Sequence, residues 1–192
     1  MNYRTCVFVI GLLACVLSAN TTAQVEYIDR VDLGFTQVVT TTDRGVKTIF
    51  VSGQVGRGQD LQAHVESAFQ GVVRRLEQAA ASVEDVVKIR IFVKDFEPGQ
   101  YGIVARARRA IFPEGHWPAS TMIGVRALFR DSYRVEIEAV AVVAEPGVDL
   151  EIERFASANG FSGAVAVTAH GVKTIYVAGQ VSAGDDLAAQ TA

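Results

Sequence analysis

Apolar and polar positions alternate over Thr48 to Val55, with Ile49, Val51 and Val55 on one side and Thr48, Phe50 and Ser52 on the other. That two-residue period predicts a strand. Thr36 to Thr42 leads into it through Asp43-Arg44-Gly45, a turn in which glycine accepts positive φ, so the two segments read as a hairpin. After Asp60 the period becomes helical. Leu61, Val65, Ala68, Phe69, Val72, Val73 and Leu76 form one stripe, Asp60 is the N-cap, and Gln62, Glu66, Gln70, Arg74, Glu77 and Gln78 form the polar face. His64, on the shoulder of that face, is expected at the surface.

Val86 to Lys94 alternates again, with Val87, Ile89, Ile91 and Val93 on one side. Pro98 opens a second helix running through Phe112, with Ile103, Ala107 and Ile111 at helical spacing. The Pro113 to Pro118 segment breaks it, and strands follow over Ala119 to Leu128 and Tyr133 to Val143. The order ββαβαββ predicts an α+β domain, a mixed sheet with two helices on one face. The other face mixes charges with Phe92, Val140 and Val142. One helical layer cannot cover it, so association with further domains, and hence an oligomer, is expected.

The chain also repeats itself. Gly34 to Glu66 aligns without a gap to Gly160 to Ala192 at an offset of 126, with 17 of 33 positions identical. Gly45-Val46-Lys47-Thr48-Ile49 recurs as Gly171-Val172-Lys173-Thr174-Ile175. Such a period is one small domain, not a solenoid unit. The expected layout is a domain over 30–145, a linker over 146–154 and a partial second domain over 155–192, comprising the first hairpin and a helix start.

Residues 1–23 read as an export signal: Arg4, an apolar run from Thr5 to Ala19, then Thr21-Thr22-Ala23 as a small-residue cleavage site. The run is too short to span a bilayer comfortably. A periplasmic or secreted protein with no stable membrane span after cleavage is expected; the alternative is a lipid anchor at Cys15. The only cysteines, Cys6 and Cys15, lie in this segment. The remaining chain therefore has no thiol for a disulfide, a metal site or a nucleophile. Without Arg4 it carries 17 basic and 21 acidic residues, and no basic cluster larger than Arg106, Arg108 and Arg109. Nucleic acid is not an expected partner.

Five segments, in order and register, carry a family resemblance. They are Ser52-Gly53-Gln54; Ala80 to Lys88; Phe92-Val93-Lys94-Asp95; Pro118-Ala119-Ser120-Thr121; and Val135 to Ala141. Together they resemble the Rid family, the YjgF-type reactive intermediate deaminases. The resemblance implies a chorismate-mutase-like fold and a trimer with small-molecule clefts between subunits; no cofactor is expected. It also implies hydrolysis of enamines and imines derived from amino acids. Glu136 matches the family glutamate that handles water, and Ser52, Gly53 and Gln54 match the segment lining the cleft. Thr121 matches a small hydroxyl residue. Two positions depart. Ser120 stands where the archetype has the arginine that grips the substrate carboxylate, and Phe35 where it has tyrosine. A hydroxyl cannot replace a planar guanidinium fork. Two functions therefore stay open: an imine or enamine hydrolase, or a non-catalytic oligomer that uses the same cleft for binding or for protecting other proteins.

Other chemistry has less support. Glu136 and Glu138 share a strand face about 7 Å apart. Ser120 and Thr121 have no histidine in a triad context. Three scattered histidines, His64, His116 and His170, do not make a metal site, so none is expected.

Overall fold

The computed structural model describes residues 22–157 and 160–182. The expected signal segment 1–23 therefore lies almost wholly outside the described residues, as does the expected second helix start. Among the described residues, nine strands and two α-helices follow in the order β1 (Gln24–Val31), β2 (Phe35–Asp43), β3 (Val46–Val55), α1 (Leu61–Gln78), β4 (Val86–Lys94), α2 (Tyr101–Ile111), β5 (Ala119–Val125), β6 (Val135–Ala144), β7 (Leu150–Ala156), β8 (Ser162–Ala169) and β9 (Val172–Val177). From β2 to β6 this is the expected ββαβαββ order. Both turn residues of the first hairpin, Arg44 and Gly45, have positive φ. The Asp60 side chain accepts from the Ala63 N–H at 2.8 Å and caps α1.

The sheet runs β1-β2-β3-β6-β4-β5-β8-β7, with β9 paired to β8. The β4–β5 ladder is parallel and the β3–β6 and β4–β6 ladders antiparallel, so the sheet is mixed. Both helices lie on one face. Phe69 of α1 meets Phe112, just past α2, edge to face at 6.0 Å, and these rings pack with Ile49, Leu76, Ile89, Ile91 and Ile137 in the main core.

Several sequence expectations need correction. The domain begins earlier than residue 30, because β1 pairs along β2 from Gln24. Most of β1 is exposed, so it carried little hydrophobic signal. A bulge between Val86 and Lys88 moves Val87 to the face away from the helices, where it joins a second apolar cluster. β5 ends at Val125 rather than Leu128. His64 is buried, not surface filler: Gly56 crosses so close to α1 that its carbonyl oxygen lies 2.8 Å from His64 Nδ1. The proposed linker over 146–154 is largely strand. Glu145 to Val148 closes a tight turn, with Gly147 at positive φ, and β7 starts at Leu150.

β7, β8 and β9 follow β1, β2 and β3 by about 126 residues. The β8–β9 register equals that of β2–β3: Ala164 faces Val177 as Val38 faces Val51. These strands dock on the first unit. Ser162 is bridged to Ala119 of β5, and its N–H donates to the Pro118 carbonyl at 2.9 Å. Arg154 donates to the carbonyls of Val86 and Glu84 at 2.9 and 2.6 Å, and Lys88 to that of Val177 at 3.0 Å. Val165, Val167 and Ala178 bury Val87, Ala119 and Val142. Part of the sheet face that the helices leave open is thus covered from within the chain.

Candidate functional site

Beyond the Val38–Val51 pair, β2 and β3 part, while β2 stays paired to β1 through Phe35. Opposite, β3 bulges against β6: Val51 faces Ala139 and Gln54 faces Ile137, leaving Ser52 and Gly53 against the single residue Glu138. The bulge re-aims the side chains beyond it. Gln54 is buried where simple alternation had put Val55, and it stitches the split. Its amide donates to Gln37 Oε1 at 2.9 Å and to the Ser52 carbonyl at 3.0 Å, and its Oε1 accepts from Arg75 Nε at 3.3 Å. Ser52 Oγ donates to the Gln37 carbonyl at 3.1 Å.

A cavity of about 940 Å³ fills this split. Phe35, Ser52, Gly53, Gln54 and Glu136 line it, so five of the seven sequence-predicted site residues converge. Arg74 and Arg75 of α1, Arg57, and Phe129, Arg130 and Tyr133 from the loop before β6 complete the wall. Sequence reasoning missed all of these. Arg74 belongs to a polar helix face that looks solvated in one dimension, Arg75 falls on neither the apolar stripe nor that face, and the loop has no periodicity to read. Arg75 is held by Asp29, which pairs with its Nη1.

Glu136 lies directly over Gly53. A Cβ on Gly53 would come within 2.6 Å of Glu136 Cδ, with Oε1 nearer still, so only glycine lets the carboxylate rest there. Burial pushes the Glu136 carboxyl above the ordinary carboxylate range, and the nearby Glu138 adds to the rise. Glu138 itself pairs with Arg90 Nε at 2.8 Å. A half-buried carboxyl with a raised pKa, in a cleft, suits proton transfer near neutral pH.

Ser120 and Thr121 do not reach this cavity within the chain. Ser120 is buried, and its Oγ accepts from Arg108 Nη1 at 3.1 Å. Thr121 Cγ2 packs against the backbone of Gly179. Arg108 is nearly inaccessible: its Nε donates to the Gly160 carbonyl at 3.1 Å and its guanidinium stacks 5.0 Å over the Phe161 ring. Among the described residues, no group of three or more His, Cys, Asp or Glu is placed to hold a metal ion, and no helix is long and apolar enough to cross a membrane.

This mixed sheet, layered by two helices and split beside a carboxylate, defines a class of small α+β proteins. The chain belongs to the family described as Endoribonuclease L-PSP, whose model matches residues 27–143. A 2-iminobutanoate/2-iminopropanoate deaminase from Salmonella typhimurium is 32% identical over 119 residues, 60% of this chain and 86% of that protein. One of the same description from Dermatophagoides farinae is 27% identical over 104 residues, 50% of this chain and 78% of that protein. The solved structure of a YjgF family member from Mycobacterium tuberculosis superposes with a TM-score of 0.55 at 26% identity, covering 62% of this chain and 100% of that one. A YjgF family protein from Neisseria meningitidis, 22% identical, shares the fold with the same TM-score over 64% of this chain and 97% of that one.

Proposed function

We propose that the chain is an exported Rid-type hydrolase that converts reactive imines or enamines to carbonyl compounds and ammonia at the Glu136 cavity. One observation carries the reading: Glu136 is seated on Gly53, with its pKa raised by burial, inside a cavity of about 940 Å³. The descriptions of the deaminase relatives support it. Glu136 takes a proton from water as the oxygen adds to the imine carbon, and returns it to the imine nitrogen. The resulting carbinolamine loses its hydroxyl proton through the same carboxylate to the nitrogen. The C–N bond then breaks, leaving C=O and NH₃. One water is consumed and no redox partner is needed.

Residues 150–192 are, in this reading, a partial second copy of the domain, and the clefts form between units of a trimer-like assembly in the periplasm or outside the cell. The test is ammonia release from imines generated in situ, some with a carboxylate and some without. Turnover lost in Glu136→Gln supports the hydrolase. Ligand binding without turnover of any imine favours the non-catalytic alternative, which the hydroxyl side chain at Ser120 supports.

A further inference from the structure

We propose that the Glu136 cavity continues into a phosphate subsite, so that its ligand is a short-chain phosphate monoester with the carbonyl or imine end at Glu136, a substrate class that rests on the reading of this cavity as the ligand site. A second cavity, of about 250 Å³, is lined by Arg57, Gly58, His64, Arg130, Ser132 and Tyr133. Arg57, Arg130 and Tyr133 line the larger cavity as well, so the two adjoin. Tyr133 stands three residues before Glu136, at most about 11 Å of chain. A ligand of only a few carbons therefore reaches from one cavity into the other.

Positive charge collects here although the chain as a whole is acidic, with a net charge of -3. Among the described residues, Arg57, Arg74 and Arg130 have no carboxylate partner. Asp131, the acidic residue of the turn that carries Arg130 and Ser132, pairs instead with Lys94 at 3.6 Å and lines neither cavity. Two guanidinium forks, with the Ser132 and Tyr133 hydroxyls as further donors, suit a dianion with three terminal oxygens. A nucleic acid would need a track of cations along many phosphates, and a pocket of this size holds one.

The frame is set by the protein's own bonds. The Gly56 N–H donates to the Val135 carbonyl at 2.8 Å, and the Arg57 N–H to Ser67 Oγ at 3.2 Å. His64, only 4% exposed, donates from Nδ1 to the Gly56 carbonyl at 2.8 Å, which leaves Nε2 as the ring's remaining polar atom. Across the pocket, the Tyr133 N–H donates to the Arg130 carbonyl at 3.0 Å and Lys94 Nζ to that of Asp131 at 3.1 Å. Both backbones are thus pinned while the Arg57 and Arg130 side chains stay exposed, so binding has only side chains to order.

The test is calorimetry on the 192-residue chain with dihydroxyacetone phosphate, dihydroxyacetone, pyruvate and inorganic phosphate. We expect dihydroxyacetone phosphate to bind at least about tenfold more tightly than the other three. Arg57→Ala and Arg130→Ala should each weaken it about tenfold or more. Arg126→Ala, which removes an exposed arginine of the β5–β6 connection that lines neither cavity, should leave it unchanged. Arg57→Lys and Arg130→Lys, which keep the charge and lose the fork, replace any alanine variant that does not fold.

Absent binding of the ester overturns the proposal, as does equal affinity for inorganic phosphate, which would make the pocket a free-anion site. An Arg126→Ala loss matching that of Arg130→Ala overturns it too, as does tighter binding of a short single-stranded oligonucleotide through the same arginines. Binding is read without turnover, so the two ideas fail separately. Absent imine hydrolysis beside ester binding that needs Arg57 and Arg130 sinks the hydrolase alone. Hydrolysis beside ester binding that ignores both arginines sinks this inference alone.

Discussion

Gly53→Ala is the smallest change that tests the Glu136 site. The added methyl would stand 2.6 Å from Glu136 Cδ. Carbon atoms rest about 3.5–4 Å apart, so the carboxyl must retreat by about 1 Å. A displacement of that size in a reacting group costs about 100-fold in rate. The backbone at Gly53 has no positive φ, so alanine is not strained there. Stability should change by no more than about 1 kcal/mol. The assay is ammonia release across pH, beside a urea unfolding curve. A general base works in its ionised form, so the rate falls as pH drops through its pKa. Burial raises that pKa in the native site. Pushed toward water, the carboxyl loses part of this rise, and the acid limb of the variant's profile should move to lower pH. Full turnover in a normally folded Gly53→Ala protein would falsify the assignment of Glu136 as the water-handling group.

Glu136→Gln should raise the melting temperature at pH 8, with the gain shrinking toward pH 4. A carboxyl whose folded pKa is raised binds more protons when folded, so its burden on stability appears as pH rises through that pKa. A gain independent of pH would show that burial of the charge is not the cause. Arg154→Ala removes the donor to the Val86 and Glu84 carbonyls and should speed amide exchange in β7 and β8 about tenfold or more, leaving α1 unchanged; equal exchange would show that these bonds do not hold the docked strands. Ser120→Arg, which the family pattern alone would nominate as a restoring change, should instead destabilise the 192-residue chain by about 3 kcal/mol. It sets a second guanidinium against buried Arg108, and a denaturation midpoint at or above that of the native chain would refute the reasoning.

Local pattern was enough for the scaffold. The alternation of Ile49 and Val51, the stripe from Leu61 to Leu76, the Asp60 cap and the Arg44-Gly45 turn are short-range signals, and each element they predict is present. Glu136, Gly53, Ser52 and Phe35 were legible as a group only through their resemblance to a family, because spacing along the chain does not show that β2 and β3 part beside β6. Two bulges decided what alternation could not. One turned Gln54 inward and seated Glu136 on Gly53, and the other sent Val87 to the opposite face. A bulge shifts every later side chain by one position, and where it falls is seen only once the partner strand is in place. The separation of Ser120 and Thr121 from the cavity is of the same kind. Sequence placed them beside Glu136 by analogy, whereas packing placed them under Arg108 and Gly179, since a contact between units depends on which surfaces are left apolar once each unit has folded.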